Sequence, residues 1–383
     1  MDELEKTLQK TSRNYGKLLQ LQCTIYNMIG KPGVIEISDK SKDILLKAKD
    51  FDSLAETLTQ AGIRYYIQGD ISNGISYLES ALDYAKNSRN KALPTKIMTN
   101  LGILYNSHGE REKSHTYFKK AMKLSLEISN YRTYISSAIN LGVSYLMSGK
   151  FENSKGVLEE SVVLSKKSNL LYQHCISLTN LADVYFELGD FDNSMKLYQE
   201  SKDLSVQMDL PIELSINELG IIKNTMKSSK LDDLEIVFSK LIKEFTESEE
   251  FSYVSNTYYE MSQYYLLKDE LNKALDFIEK AIEFAEKCKS EADLIKAKRK
   301  KVELLYIKGE IDKTFILFNE VMDLSEKSNN YYELSKLYFS RYLYLDKELH
   351  NTSFLTKAEE ISSYFDACYL TNLINNEINI ISN

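Results

Sequence analysis

Apolar residues recur along most of this chain at the three- and four-residue spacing of a helix. In the first 29 residues they stand at Leu4, Leu8, Tyr15, Leu18, Leu21, Ile25 and Met28, and the segment GKPG follows at 30–33. Apolar residues at this spacing lie on one face of a helix, whereas Gly and Pro end helices. The pattern predicts one amphipathic helix over residues 1–29 and a second over 34–49.

The pattern then repeats with a period of forty residues. The segment KIMTNLGILYNSHG at 96–109 returns as SSAINLGVSYLMSG at 136–149 and as ISLTNLADVYFELG at 176–189. Glycines mark the same spacing at Gly69, Gly109, Gly149, Gly189 and, three periods later, Gly309. A fixed period between twenty and fifty residues is typical of a repeat array, in which each unit packs against its neighbours. The sequence therefore predicts a fold of stacked copies of one unit.

Small and large residues hold fixed positions within each unit. The first half carries a small residue, at Gly62, Gly102, Gly142, Ala182 and Ser262, followed three residues later by tyrosine. The second half carries another small residue, at Ala81, Ala121, Ser161, Ser201 and Ala281, with a large residue three positions before it. Two helices joined by a tight turn approach closely only where a small side chain lies at their crossing. Each unit is therefore predicted to be a helical hairpin.

This pattern resembles the tetratricopeptide repeat, which has a large-x-x-Leu-Gly-x-x-Tyr motif on a first helix and Ala, an aromatic residue and Ala on a second. The best match runs from Tyr258 to Ala281. The resemblance implies an all-α fold, a right-handed superhelical α-solenoid of about eight to nine helical hairpins. Since the usual unit of this family has about 34 residues, the six additional residues are expected to extend the second helix.

Departures from the pattern predict the domain organisation. We expect divergent capping helices over 1–49, a first lobe over 50–210, a degenerate joint over 211–250 and a second lobe over 251–383. In the joint, Ile222 and Thr225 replace the small residue and the tyrosine, and Pro211 interrupts the preceding helix. In the last repeat, Tyr342 stands at the small position.

Composition narrows the classes of function. A formal charge of -8 argues against nucleic acid as a direct partner, because phosphate binding needs clustered cations. The four cysteines stand singly with no CxxC pair, which argues against a disulfide framework and against a zinc site. The N-terminal segment lacks a signal-peptide pattern, and no run of eighteen apolar residues occurs. We expect a cytoplasmic protein with no membrane partner.

Residues typical of catalysis form no recognised pattern. The motifs HExxH and GxSxG and the phosphate-binding loop do not occur in the sequence. His174 and Cys175 are adjacent, but neighbouring residues of a helix point to different sides. We therefore expect a non-enzymatic protein with no cofactor and no metal site.

Polar residues in register predict a binding groove. In tetratricopeptide arrays the first helices of successive units line a concave groove that typically holds a peptide, and the resemblance places polar residues of this chain there. A carboxamide donates and accepts hydrogen bonds at once, which suits it to peptide main chain. The predicted peptide-binding residues are Gln60, Asn100, Asn140, Asn180, Asp183 and Lys223. The alternative is that the carboxamides bond to adjacent helices and stabilise the stack.

A basic run, KAKRKK at 296–301, is a second candidate site. Helical spacing turns Lys296, Arg299 and Lys300 toward the predicted groove, with Lys336 of the next unit near them, so the run predicts an anion-binding pocket. A solvated charged surface is the more frequent outcome for a short run of this kind. Glu260 stands where the carboxylate-binding clamp of some family members has Asn, so that specificity is not implied.

Forty-residue repeats with an Asn-Leu-Gly motif are similar to those of Rap- and PlcR-type peptide-pheromone receptors and of kinesin light chains. This resemblance implies a peptide- or protein-binding scaffold in bacterial regulation, with Rap-like control of a signalling protein by a peptide as one alternative. Another is the sensory or adaptor region of a diguanylate cyclase or histidine kinase whose catalytic part is absent. The segment before GKPG is too short for the helix-turn-helix of PlcR or the helical bundle of Rap. Oligomeric state stays open, with a dimer as one option.

Overall fold

The computed structural model describes residues 12–86, 88–228, 231, 234–347, 351–366 and 368–382. These residues form nineteen α-helices and one π-helical turn, and none of them lies in a strand. Successive described helices pair as hairpins joined by short turns. The predicted all-α array of helical hairpins is therefore confirmed. Of the first predicted helix, residues 1–11 lie outside the described part.

Contacts divide the chain into two compact units, residues 1–144 and 145–383. The described residues of the first unit form six complete helices and most of a seventh. They are α1 (Arg13–Met28), α2 (Val34–Lys47), α3 (Phe51–Ile67), α4 (Ile71–Ala85), α5 (Ala92–Ser107), α6 (Arg111–Glu127) and α7 (Tyr131–Met147).

The second unit contains the remaining described helices. They are α8 (Phe151–Lys167), α9 (Leu171–Leu188), α10 (Phe191–Gln207), α11 (Pro211–Lys227), α12 (Leu234–Glu247), α13 (Phe251–Leu267), α14 (Leu271–Lys287), α15 (Glu291–Lys308), α16 (Ile311–Lys327), α17 (Tyr331–Arg341), the π-helical turn Tyr342–Asp346, α18 (Ser353–Ser362) and α19 (Tyr369–Ser382).

The predicted joint over 211–250 corresponds to α11 and α12, which pack inside the second unit. Pro211 is the first residue of α11, where its missing N–H removes no helical hydrogen bond. Repeat similarity predicts lobes over 50–210 and 251–383, and those lobes stay a prediction. The contacts within the structure instead divide the chain between Ser144 and Tyr145.

The turns repeat one backbone conformation every twenty residues. The first helices of several units end at glycines with positive φ, including Gly109, Gly149 and Gly189, and the second helices end at non-glycine residues with positive φ, including Ser129 and Asn169. A unit is thus two 17-residue helices, as in α7 and α8, with turns at 148–150 and 168–170. The expectation that the second helix alone is extended is wrong, because both helices have the same length.

The small positions mark the helix crossings, as predicted. A methyl group added to Gly102 would lie 2.5 Å from the ring of Phe118, and one added to Gly62 would lie 2.9 Å from Leu78. In the last repeat, where Tyr342 replaces the small residue, α17 stops at Arg341 and the backbone continues as the π-helical turn. The buried Tyr342 ring occupies space that a close crossing would need.

The C-terminal segment folds back onto the beginning of the second unit. Asp366 donates its main-chain N–H to the carbonyl of Gly149, and its carboxylate accepts the N–H of Glu152, each at 2.9 Å. Phe365 packs against Gly149, and the ring of Tyr369 lies 5.6 Å from that of Phe191. We call Phe365, Asp366 and Tyr369 the clasp. It closes the second unit on itself.

Candidate functional site

The second unit contains a cavity of about 380 Å³, lined largely by the first helices of its hairpins. We call it the second-unit cavity. Five carboxylates and three lysines line it, so its lining carries two more negative than positive charges. These residues are Asp183, Glu187, Glu260, Asp293 and Glu333, with Lys223, Lys296 and Lys336.

Asp183 and Lys223, two of the predicted peptide-binding residues, lie together in this cavity. The Lys223 Nζ is 3.2 Å from the Asp183 carboxylate, which also accepts the Tyr198 hydroxyl at 2.5 Å. Burial lowers the pKa of Lys223, but the charges of Asp183, Glu260 and Glu187 outweigh it and the pKa is raised. Lys223 is therefore a charged partner of Asp183 on the neighbouring first helix.

Glu187 and Lys336, two further residues of the cavity lining, lie close together beside Tyr332. Its hydroxyl donates to the Glu187 carboxylate at 2.5 Å, and Lys336 Nζ lies 4.0 Å from the same oxygen. Burial raises the pKa of Glu187, but Lys336 and the Tyr332 hydrogen bond shift it below its ordinary value. Lys336 also lies 3.1 Å from Glu333. Lys336 thus partly compensates two carboxylates, Glu187 of α9 and Glu333 of its own helix α17.

The basic run at 296–301 is largely neutralised by acidic partners. Arg299 bonds Glu333 at 2.6 Å, and Lys300 bonds Glu303 at 2.9 Å. Both cations are buried, and neither lines the cavity. Of the predicted anion-binding residues, only Lys296 and Lys336 reach the cavity wall. Anion binding here stays a prediction, and the adjacent carboxylates oppose it.

Glu260 and Lys296 are charged residues of the cavity wall without an ion pair. Among the described residues no cation lies within 4.0 Å of Glu260, which is 4% exposed and accepts only the Gln263 side chain, at 3.3 Å. Lys296 donates to Asn256 at 2.7 Å and lies over the ring of Tyr259. Burial lowers the pKa of Lys296 despite the charge of Glu260. Sequence reasoning identified Glu260 only as a departure from a family motif.

The first unit contains a separate pocket of about 510 Å³ between its first helices. We call it the first-unit groove. Most of its side chains are uncharged hydrogen-bonding groups, with Glu56, Lys96 and Arg132 as the charged members. Gln60 and Asn100 from the predicted peptide-binding set line it together.

The predicted asparagines differ in their hydrogen bonds. Asn140 donates to the Ser136 carbonyl and Asn180 to the Ile176 carbonyl, each at 2.8 Å within its own helix. Neither lines the two pockets described above. Asn100 makes no hydrogen bond to any described residue. The structure therefore brings Gln60 and Asn100 to a pocket and gives Asn140 and Asn180 a helix-bonding role.

The described residues contain no cluster of three or more His, Cys, Asp and Glu side chains placed to hold a metal ion. His174 and Cys175 are both buried, and they have different partners: His174 bonds Ser165 at 3.1 Å, and the Cys175 thiol lies beside Ser201. Among the described helices, none has both the length and the apolar character that crossing a membrane requires.

Two segments, 176–205 and 255–288, match the tetratricopeptide repeat family model. At these two segments the chain carries tetratricopeptide repeats. The matched segments lie in α9–α10 and α13–α14, which include the hairpin with the best motif. No curated protein matches the chain significantly.

Several solved structures have folds similar to that of this chain. The Rap conjugation gene regulator of plasmid pLS20 with the Phr* peptide shares 13% identity over 82% of this chain and 96% of its own, with a TM-score of 0.61. A Rap protein in complex with Competence and Sporulation Factor shares 12% sequence identity with this chain. The match covers 76% of this chain and 85% of the Rap protein, with a TM-score of 0.60. The apo form of the quorum sensor NprR from B. thuringiensis shares 18% sequence identity with this chain. The match covers 84% of this chain and 90% of NprR, with a TM-score of 0.59. At these identities the likeness establishes the fold.

Proposed function

We propose that this tetratricopeptide repeat protein binds a peptide segment in the second-unit cavity and that the peptide carries a positively charged group. The cavity has the size of a small-ligand site, and side chains from several first helices converge on it. Two of the similar folds were solved with bound peptides or factors, the Phr* peptide and Competence and Sporulation Factor. The proposed activity is binding, with no catalytic step.

The buried Glu260 carboxylate is the observation that carries the proposal. A buried charge is costly unless a cation or several hydrogen-bond donors compensate it. Asp183, Glu187 and Glu333 each have a cation within 4.0 Å, whereas Glu260 has none among the described residues. A lysine or arginine side chain, or the N-terminal ammonium of a peptide, would supply the missing partner.

Groups beside Glu260 suit the rest of a peptide. Asn256, on the same helix, holds the Asp293 carboxylate at 3.0 Å and accepts from Lys296 at 2.7 Å. Tyr332 adds an aromatic side chain to the lining, and its ring centroid lies 5.2 Å from that of the fully buried Phe151. The Asn256 amide thus orients Asp293 and Lys296, and the cavity combines a carboxylate for a cation with an aromatic side chain. We propose that the bound peptide regulates a partner protein, as a Rap-like regulator does.

The test is peptide selection followed by measured affinity. A phage-displayed library of random heptapeptides, selected on the full chain, should enrich peptides with Lys, Arg or a required free N-terminus. The best synthetic peptide should bind Glu260→Gln at least tenfold more weakly by isothermal titration calorimetry, since a charged hydrogen bond contributes about 1.5–3 kcal/mol.

Glu279→Gln is the matched control, because Glu279 lies on α14 outside this cavity and pairs with Lys301. Its affinity for the selected peptide should equal that of the wild type. Equal affinity of Glu260→Gln and the wild type, or no enrichment of positively charged peptides, contradicts the proposal.

A further inference from the structure

We propose that the second unit closes along a seam between its first and last hairpins, and that this seam opens and closes as one latch that orders the second-unit cavity. On one side of the seam lie α8, α9, α10 and the turn before α8, and on the other lie α17 and the clasp. The latch deepens the proposed function, on which only its effect on ligand binding rests.

The start of α8 lacks the acidic residue that precedes other second helices. Lys150 stands directly before α8, and lysine has no acceptor for the free N–H groups of a first turn. Asp366 supplies a carboxylate instead, at 2.9 Å from the N–H of Glu152. The cap of α8 in this structure therefore forms only when the seam is closed. The acidic residues before the other second helices are Asp70, Glu110, Asp190, Glu270 and Glu310.

Tyr332 connects the clasp to the second-unit cavity. Its ring lies edge to face with Phe365 of the clasp, at 5.3 Å, and with Phe151 across the seam, at 5.2 Å. Its hydroxyl lies at the cavity and donates to Glu187, also across the seam. Edge-to-face contacts of this kind favour one ring orientation. Moving Phe365 away from Gly149 would therefore remove one of the two rings that position Tyr332 in the cavity.

A second set of contacts joins the clasp to the opposite wall of the cavity. The ring of Tyr369 lies 5.6 Å from that of Phe191, which lies 5.3 Å from that of Phe186. Lys223, the partner of Asp183 in the cavity lining, lies 4.7 Å above the ring of Phe186. The clasp thus contacts side chains that lead to both walls of the cavity.

Opening the seam would separate those walls. Tyr332 and Lys336 come from α17, whereas Asp183 and Glu187 come from α9. The clasp is suited to opening because Asp366 is partly exposed and Tyr369 is 38% exposed, so water can replace their bonds. A ligand that contacts both walls binds the closed state more tightly and, by linkage, stabilises the closed seam.

Amide hydrogen exchange of the full chain, measured by mass spectrometry, tests the latch without a ligand. Asp366→Ala removes the cap of α8, and Tyr332→Phe removes only the hydroxyl that bonds Glu187. Each variant should quicken exchange by about threefold or more in three segments. These are 150–156 at the cap, 189–195 against Tyr369, and 331–338 around Tyr332.

Two matched controls change the same chemistry away from the seam. Asp70→Ala removes a cap that α4 receives from its own turn, at 3.2 Å from the N–H of Asn73, and should quicken exchange there alone. Tyr198→Phe removes a hydroxyl bond to Asp183 on one side of the seam and should leave 150–156 and 331–338 unchanged. The latch is overturned if Asp366→Ala quickens 150–156 alone, or if Tyr332→Phe leaves 189–195 at the wild-type rate.

The effect on binding is measured with the positively charged peptide selected for the proposed function. This peptide should slow exchange at 150–156 and should bind Asp366→Ala about threefold or more weakly, although Asp366 does not line the cavity. Equal affinity of the variant and the wild type would show that the seam does not order the cavity. If no such peptide is selected, the proposed function fails, whereas exchange without a ligand still decides whether the seam opens as one.

Discussion

Gly109 and Gly149 stand at the same position of adjacent repeats, yet their surroundings differ. Both have positive φ, of 82° and 70°. Nothing lies within 4 Å of a methyl group added to Gly109, whereas at Gly149 the methyl would lie 2.3 Å from the Cβ of Phe365. One repeat motif thus makes an open turn in the first unit and a contact surface for the clasp in the second. The contact, not the motif, distinguishes them.

The two pockets differ in whether their cations have carboxylate partners. The cations Lys96 and Arg132 of the first-unit groove have no ion pair with a described residue, whereas Lys223 and Lys336 in the second-unit cavity each have a carboxylate partner. Loss of one partner of a buried ion pair is costly because the other charge stays buried, whereas water solvates an exposed charge that has no partner. The comparison therefore predicts that removing a charge destabilises the second unit more than the first.

The largest expected effect comes from breaking the buried pair of the second unit. Glu333→Gln removes the nearer carboxylate of buried Arg299, which keeps only Glu303 at 3.6 Å, and it also removes a carboxylate partner of Lys336. We therefore expect a loss of about 3–5 kcal/mol in the free energy of unfolding. Asp83→Asn breaks an exposed pair of the first unit, with Lys86, and should cost less than about 1 kcal/mol. Urea unfolding followed by circular dichroism measures both, and similar losses would remove the contrast.

Acid should weaken the ion pair between Glu333 and Arg299 and so lower the free energy of unfolding. Burial raises the pKa of Glu333, but Lys336 and Arg299 outweigh it and lower the pKa to about 2, against about 4.3 for an unfolded glutamate. A group whose pKa is lower in the folded state stabilises it above the unfolded pKa. This stabilisation is lost as the pH falls from about 4.3 to about 2. The stability difference between wild type and Glu333→Gln should therefore shrink over that range.

The glycine pair should have the next largest effect. Gly149→Ala adds a clash with Phe365 to the cost of a left-handed alanine, so we expect a loss of about 2–5 kcal/mol. Gly109→Ala has only the backbone cost, about 1–2 kcal/mol. Thermal unfolding of the two variants compares them directly. If Gly109→Ala is as damaging as Gly149→Ala, the clasp contact is not a source of stability.

The smallest effect on stability is expected from the asparagines. Asn100→Ala combined with Asn140→Ala and Asn180→Ala removes two hydrogen bonds within helices, but alanine is the better helix former, so the melting temperature should change little. A triple variant that unfolds would instead show that these carboxamides stabilise the fold.

Several features of the binding sites could be read from the sequence and others could not. The register of Gln60 and Asn100 was visible, because both stand two residues before the small position of their repeats. Their separation from Asn140 was not visible, since the hydrogen bond to Ser136 depends on the side-chain rotamer. The neutralisation of Arg299 also escaped the sequence pattern, because its partner Glu333 lies on another hairpin.

The sequence by itself determined the helices, their pairing into hairpins and the small residues at their crossings. These features depend on contacts within a unit or between neighbours, and a forty-residue period records such contacts directly. Only the tertiary structure decided that Asp366 would bond Glu152, 214 residues earlier in the chain. That contact depends on small rotations added over many hairpins, and no single residue of a repeat records their sum.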